Sequence, residues 1–434
     1  MRREIRMPSI LPSMTDAKVA RWHVSEGQSV AEGDLLLEVA TPTATFDIEA
    51  DGEGRVERIL VPAGTEGVKV DTPIAILFGD TQHQSRPLAF AALEQISQRE
   101  RAAVHAEKTA QSYAEALRDA LAAEMRADPS VFLIGLDAAR NRGTSKVMEG
   151  LIDEFGPARV ITVAAFDEAM IGMALGAAFA GLRPVVEVPH WGSALETLSP
   201  YLTSAVQAAA LSGRRLAAPI VFRGPNGYVP GMTGNASRCA AASLAHRPGL
   251  KVAQPATAAS AKALLKAAIR DPGPVALLED ARLYRARDAG DPAADGASGL
   301  GTARIARNGR DLTLTAAGHA LVLALEAAAQ LARDGIEAEV IDLMSLRPLD
   351  HDTIVASVRR TGRLVTVEEG WGEYGIGAEI AASVAVHAFG HLKKPPARIA
   401  GSGVPMPYAP ELQTLALPTT DAIIRAARNL VRDG

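Results

Sequence analysis

The chain has 434 residues, 48% of them hydrophobic and 22% charged, with a formal net charge of −5. That length exceeds a single hydrophobic core, so about two to four domains are expected, and both signs of charge are interspersed with no basic stripe, which argues against nucleic acid as a partner. The single cysteine, Cys239, cannot form an internal disulfide, the start Met1-Arg2-Arg3-Glu4-Ile5-Arg6 leads into no apolar signal core, and the most apolar run, residues 170–182, falls short of the ~20 residues a bilayer span needs; no membrane partner is expected, and a cytoplasm or an organelle matrix fits.

Residues 1–80 carry short alternating apolar runs punctuated by Gly, Pro and Asp, which predicts an all-β unit. They also contain a repeat offset by 37 residues: Val19, Val24, Gly27, Asp34, Leu37 and Val39 recur as Val56, Val61, Gly64, Asp71, Ile74 and Ile76. Two similar four-strand halves, interleaved into a flattened barrel, would produce that repeat. The segment Ala40-Thr41-Pro42-Thr43-Ala44-Thr45 between the halves then falls at a hairpin tip. Residues 81–110 are polar, then rich in Ala, Gln and Glu, and predict a linker, partly helical.

From Tyr113 the pattern alternates helix and strand. A helix is predicted over 114–125, a strand over 131–135, a buried small-residue helix over 170–180, and strands over 184–188 and 218–222. This order predicts a parallel sheet with helices on both faces. A loop rich in Asp, Gly and Ala at 286–301 marks the next boundary. A second βα set follows, with strands at 312–315, 338–341 and 364–367 and a last helix over 420–431. The expected division is a β domain over 1–80, a linker over 81–110, an α/β domain over 111–290 and a second α/β domain over 303–434.

Two resemblances rest on motifs. The stretch Val61-Pro62-Ala63-Gly64-Thr65-Glu66-Gly67-Val68-Lys69-Val70-Asp71-Thr72-Pro73-Ile74 resembles the second half of lipoyl and biotinyl carrier domains, and Ser9-Ile10-Leu11-Pro12-Ser13-Met14-Thr15 their opening strand. From about residue 111 onward the chain resembles the β subunit of the decarboxylating first component of pyruvate or acetoin dehydrogenase complexes. Phe222-Arg223-Gly224-Pro225-Asn226-Gly227, Arg247-Pro248-Gly249-Leu250-Lys251-Val252, Ala268-Ile269-Arg270-Asp271 and Arg347-Pro348-Leu349-Asp350 carry that likeness. So do Thr366-Val367-Glu368-Glu369-Gly370-Trp371 and Val404-Pro405-Met406-Pro407-Tyr408-Ala409.

The resemblance implies a transketolase-type pyrimidine-binding domain and a transketolase C-terminal-type domain. It implies thiamin diphosphate shared with an α subunit in an α2β2 arrangement, with Mg on the α subunit, and an acyltransferase core as a further partner. At the carrier tip, where the family has its lipoyl-lysine, this chain has Thr43, whose hydroxyl forms no amide-linked arm. Covalent lipoate is therefore not expected, and Lys18 and Lys69 are expected to lie away from the tip.

The resemblance also implies a pyrimidine-binding glutamate, which favours the tautomer that deprotonates the thiazolium. A gap-free count places Asp167 there, with Glu168 next to it; both acids also suit a helix N-terminus. A carboxylate one methylene short is misplaced by ~1 Å, which can cost about a hundredfold in rate. Ser193 stands where an aromatic is implied to pack on the pyrimidine. Trp191 shares a face with it if the chain is extended, and serves either the ring or the core. Ala236 stands where a histidine is implied to act in proton transfer and reductive acylation. His190 is either its stand-in or a structural histidine. Gly135-Leu136-Asp137-Ala138 replaces an acid pair. Ile220, Ala268 and Asp271 match an implied potassium site, in which Gly273 replaces an asparagine ligand. The functional expectation is a β subunit supporting oxidative decarboxylation of a small 2-oxo acid and acyl transfer to lipoate. The alternative is a silent structural or regulatory subunit, a pseudoenzyme. A carrier role is the weakest reading, since Thr43 accepts neither biotin nor lipoate.

Overall fold

The computed structural model describes residues 2–7, 16–31, 34–40, 45–49, 54–78, 111–136, 147–229, 232–288 and 299–432. The chain divides into two units, Met1–Gln98 and Arg99–Gly434. Among the described residues no helix is long and apolar enough to cross a membrane.

The first unit contains β1 (Arg2–Arg6), β2 (Asp16–Trp22), β3 (Ser29–Val30), β4 (Leu35–Ala40), β5 (Thr45–Glu49), β6 (Gly54–Ile59), β7 (Val68–Lys69) and β8 (Pro73–Phe78). They form two four-stranded sheets, β1-β8-β6-β3 and β5-β4-β2-β7. Each sheet takes two strands from each half of the repeat, so the halves are interleaved as the 37-residue offset predicts. The repeated apolar positions Val19, Leu37, Val39, Val56 and Ile74 are buried together.

Ala40 of β4 pairs with Thr45 of β5. The link between them, 41–44, includes Thr43 and lies outside the described residues. Lys18 pairs with Ala40 across β2 and β4, on the strand next to the base of that link; the tip, from which Lys18 and Lys69 are expected to lie away, is outside the described residues. The Lys18 ammonium is held by Glu66 at 2.8 Å.

The second unit opens with β9 (Gln111–Ser112) and α1 (Tyr113–Ala127). A capping box starts that helix: Ser112 Oγ accepts from Glu115 N at 3.2 Å while the Glu115 carboxylate accepts from Ser112 N at 2.8 Å. Then come β10 (Val131–Leu136), α2 (Leu151–Phe155), β11 (Val160–Val163), α3 (Glu168–Phe179), β12 (Arg183–Glu187), α4 (Trp191–Leu211) and β13 (Val221–Pro225). They are followed by α5 (Ala241–Ala245), β14 (Lys251–Ala253), α6 (Ala258–Arg270), β15 (Val275–Glu279) and β16 (Arg287–Asp288). The second set is β17 (Arg304–Arg307), β18 (Leu312–Ala316), α7 (His319–Arg333), β19 (Ala338–Asp342), β20 (Ser345–Arg347), α8 (His351–Thr361) and β21 (Leu364–Trp371). It ends with α9 (Ile376–His387), β22 (Ala397–Gly401), α10 (Pro410–Ala416) and α11 (Thr420–Arg432).

The larger sheet runs β11-β10-β12-β13-β15-β14-β20 and the smaller β17-β19-β18-β21-β22. β10 to β15 pair in parallel, whereas β20 joins β14 antiparallel. β20 comes from the second set, so the two α/β parts share a sheet and a core. Two predicted elements shift. The strand expected at 218–222 starts at Val221, because Pro219 has no N–H to give and Ile220 N turns back to Ala218 O at 2.8 Å. The helix predicted over 170–180 starts at Glu168 and is not wholly buried, with Met173 46% exposed.

A charged cluster sits at the carboxyl ends of the central strands. Arg223, with no solvent exposure, donates from Nε to Glu279 Oε1 at 2.5 Å and from Nη2 to Glu279 Oε2, and from Nη1 to Glu187 Oε1 at 3.3 Å. The Tyr284 hydroxyl donates to Glu279 Oε2 at 2.7 Å. One guanidinium compensates one of the two carboxylates. Burial pushes the other, Glu187, from its ordinary 4.5 up to about 7, with Arg223 opposing and Glu279 adding to the rise. The folded chain thus holds a proton there that the unfolded chain has lost. This contribution to stability is complete below pH 4.5 and is lost as pH rises through about 7. Glu187→Gln keeps the shape without the titration. In urea denaturation it is expected to gain on the wild type by on the order of 2 kcal/mol between about pH 5 and pH 8. A difference that does not vary with pH would show Glu187 ionised throughout.

Candidate active site

The chain leaves β13 through Gly224, Pro225, Asn226 and Gly227. A Cβ on Gly224 would lie 2.0 Å from Val188 O, so glycine lets the backbones of two strand ends touch. Asn226 locks the exit. Its N–H donates to Glu279 O at 2.8 Å, its Oδ1 accepts from Ala240 N at 2.8 Å, and its Nδ2 donates to Cys239 Sγ at 3.3 Å. Burial pushes the Cys239 thiol up to about 12, which disfavours the thiolate. Gly227 has φ +78, and a Cβ there would meet Glu369 Oε1 at 2.6 Å.

Glu369, at the end of β21, clamps this loop from the second α/β set. Its carboxylate accepts from Tyr228 N and from Arg282, whose guanidinium also donates to Asp280 Oδ2 at 2.6 Å. Burial pushes Glu369 up to about 7 against the pull of the shared Arg282. Further along, Tyr228 donates its hydroxyl to Gln413 Oε1 at 3.0 Å, and Gly234 N donates to Met406 O at 3.0 Å. Sequence reasoning missed Arg282, Glu369 and Gln413 as loop anchors. The only signal was the acid pair Glu368-Glu369 closing an apolar strand.

Asp167, Glu168, Trp191, Ser193 and Ala236 follow β11, β12 and β13 at the carboxyl end of the larger sheet, where open α/β sheets bind ligands, whereas Ile220, Ala268 and Asp271 precede β13 and β15 at its amino end. Asp167 follows β11 and is the N-cap of α3. Its Oδ1 accepts from Met170 N at 2.9 Å, and the side chain is exposed. Glu168 is the first helical residue and is also exposed. Both acids thus serve the helix N-terminus, and among the described residues the second Asp167 oxygen makes no hydrogen bond. Leu136 ends β10, half-buried, while Asp137 and Ala138 lie outside the described residues.

His190 is buried at the N-cap of α4. Its Nδ1 accepts from Gly192 N at 3.1 Å and its Nε2 stands 3.0 Å from Gly227 O, so the proton sits on Nε2. Burial lowers its pKa, opposed by the bond to Gly227. With both ring nitrogens engaged, His190 is a cap and strut, which favours the structural of its two readings. Trp191 likewise takes the core reading. It is fully buried in the core, with Nε1 donating to Leu277 O at 3.3 Å. The segment is helical from Trp191 onward, so Trp191 and Ser193 point about 200° apart rather than sharing a face. Ser193 is exposed and donates to His190 O at 3.2 Å.

Ala236 lies in a 3₁₀ turn, Gly234–Ser237. Arg238, next along, donates to Gly192 O at 3.0 Å and to Glu196 Oε1 at 2.9 Å. The turn carrying Ala236 is therefore tied to the start of α4, beside Ser193. Among the described residues this edge offers a carboxylate pair and small polar groups, with neither a free imidazole nor an exposed ring at the matched positions. An exposed carboxylate at this edge can hydrogen-bond a polar atom of a ligand, while Ala236 carries no titratable group.

At the candidate cation turn, Ile220 O accepts from Val275 N at 2.9 Å and Ala268 O from Asp271 N at 3.3 Å. Arg183 Nη1 donates to Ile269 O at 2.7 Å and Asp271 O at 3.1 Å, and Lys251 pairs with the Asp271 carboxylate. Each carbonyl keeps a second lone pair, but two side-chain cations already complement the C-terminus of α6.

His190→Ala is expected to cost on the order of 2 kcal/mol in denaturant melts, by removing a cap and unpairing Gly227 O. His190→Asn, which can still cap, is expected to recover part of this and leave the pH profile of any turnover unchanged. A moved pH profile would return His190 to the chemistry.

Three family models match the chain: biotin-requiring enzyme over residues 3–77, transketolase pyrimidine binding domain over 109–287, and transketolase C-terminal domain over 301–423. The pyruvate dehydrogenase E1 component subunit beta of Rhizobium meliloti is 41% identical, over 98% of each chain. The mitochondrial beta-2 subunit of the same component from Oryza sativa subsp. japonica is 47% identical, over 72% of this chain and 84% of the relative. The Rickettsia conorii subunit is 42% identical, over 73% of this chain and 97% of its own length. Among solved structures, "Split gene transketolase, inactive beta4 tetramer" matches in fold with a TM-score of 0.58 at 22% identity, covering 74% of this chain and 98% of that one. A carrier-type β unit followed by two transketolase-type α/β sets, aligned end to end with such a subunit, places the chain in the family of pyruvate dehydrogenase E1 component β subunits.

Proposed function

We propose that the chain works as the β subunit of a thiamin diphosphate-dependent, pyruvate-type 2-oxo acid dehydrogenase, with Asp167 as its pyrimidine-binding carboxylate and with weakened acyl transfer. The observation that carries this reading is Asp167 itself: the N-cap of α3 at the sheet's carboxyl end, exposed, with one oxygen uncommitted among the described residues. The α subunit would hold the diphosphate and its Mg, in an α2β2 assembly docked on an acyltransferase core. When bound, the cofactor supplies the carbanion that attacks the 2-oxo group. This chain would hold the ring nitrogen. The exposed apolar side chains Met173, Tyr374, Phe389, Tyr408 and Leu415 support burial against partner subunits. The same relatives support a cytoplasmic or organelle-matrix setting.

The N-terminal unit, with Thr43 in place of a modifiable lysine, would serve as a docking or spacer module without covalent lipoate. Potassium at Ile220, Ala268 and Asp271 would add little, because Arg183 and Lys251 already bring charge to that turn. Exchanging potassium for sodium at fixed ionic strength is expected to leave the melting temperature unchanged, and a potassium-specific rise would show a structural ion.

A second reading, a silent structural or regulatory subunit, is favoured by one contrast: Ala236 has no proton to give, and both nitrogens of His190 are engaged. The experiment is co-expression with the α subunit, thiamin diphosphate titration by calorimetry, and separate assays of decarboxylation and acyl transfer. Expected are cofactor binding, decarboxylation that Asp167→Glu raises by about a hundredfold, and acyl transfer that Ala236→His raises by about 10²-fold or more. No cofactor binding, and no decarboxylation even in Asp167→Glu, would leave the silent subunit as the function.

A further inference from the structure

The described parts of the loop after β13, 226–229 and 232–237, belong to no strand, and Gly227 and Gly234 within it both have positive φ. Its course therefore depends on what grips it. Asn226 ties the near end to the larger sheet, and Arg238 ties the far end to α4. Between those ties stands Gln413, on α10 of the second set and only 4% exposed. Its Oε1 accepts from the Tyr228 hydroxyl at 3.0 Å, and its Nε2 donates to Met232 O at 3.3 Å and to Pro407 O at 2.9 Å. Both N–H groups of the amide are thus used. A flipped amide would set its oxygen against two carbonyl oxygens, so the partners fix which way the amide points.

Two contacts run alongside. Met406, next to Pro407, accepts from Gly234 N at 3.0 Å, and Ser237 Oγ donates to Met232 O at 3.0 Å. The turn that carries Ala236 hangs on Met232 at one point and on Met406 at another, and Gln413 bridges the two stretches. Glu369 does not replace it: that carboxylate holds Tyr228 N, at the start of the loop, whereas Gln413 reaches Met232, beside the turn itself. Where the turn meets the start of α4, and hence Ser193, is set by a side chain of the second set.

We propose that Gln413 is a positioning residue of the candidate cofactor site: it fixes the turn of Ala236 at the carboxyl edge of the larger sheet and through that turn sets the affinity for the cofactor. It touches no ligand itself. The proposal rests on the reading of this edge as a thiamin diphosphate site.

The test uses the full chain assembled with its α subunit. Gln413→Met keeps the length and bulk of the side chain and removes all three bonds. Thiamin diphosphate affinity is measured by calorimetry below the melting transition, where a loss of global stability alone does not move it. The chain's single thiol, Cys239, lines one pocket with Gly234 and Ser237, so its rate of labelling by a disulfide reagent reports displacement of the turn. Expected are an affinity weakened by about tenfold and faster labelling in Gln413→Met. Adding Tyr228→Phe to that variant is expected to change neither, because the shared bond is already gone. A variant that melts lower with wild-type affinity and labelling overturns the proposal, since Gln413 then only packs α10. Faster labelling with unchanged affinity overturns it too. If Gln413→Met does not fold, Tyr228→Phe alone is expected to shift both readouts the same way by a smaller factor, and no shift overturns the proposal. A wild-type assembly that takes up no cofactor sinks the cofactor reading instead, and labelling then decides for or against Gln413 as the anchor of the turn.

Discussion

A guanidinium with no access to water holds the centre of this molecule. Arg223 sits at the carboxyl end of the middle strand, bidentate to Glu279 and reaching Glu187. A buried pair of this kind adds little net stability against an apolar replacement, yet removing one partner costs about 3–5 kcal/mol. It therefore fixes where the strand ends. From that point Gly224 lies against Val188, Asn226 binds the end of β15, and Gly227 passes under Glu369. Those constraints determine where His190 and the turn of Ala236 come to rest.

The same scaffold shows how fold and chemistry separate. The sheet, the caps and the loop anchors are in place, while Ala236 has no titratable group and both nitrogens of His190 are engaged. His190 is the clearest case. It sits at the right edge of the sheet, but its two nitrogens hold α4 and Gly227. A residue with no spare lone pair and no spare proton supports the site without joining it. Asp167 is intermediate, one oxygen capping a helix and the other without a hydrogen bond among the described residues.

The two α/β sets are coupled covalently, through a shared sheet and through polar contacts. β20 pads the edge of the first set's sheet, and Glu369 and Gln413 reach the loop after β13. Changes in the second set can therefore move the first set's loop without touching any ligand. The blocks Thr366–Trp371 and Val404–Ala409, which carried the family likeness, are the places where this coupling runs.

The sequence alone determined the strand and helix types, the interleaved β halves, the α/β order and the family, because periodicity, turn residues and motif spacing are local properties. It also singled out Thr43, Asp167, Ser193 and Ala236 as candidate site positions. It left open what depends on long-range neighbours. Trp191 stood between ring cover and core, and the face it would share with Ser193 on an extended chain is lost on a helix, where Trp191 is a core residue. Only the tertiary structure decided which lone pairs were spent and which charges were shared, because hydrogen-bond partners 37 or 141 residues away leave no mark in local sequence.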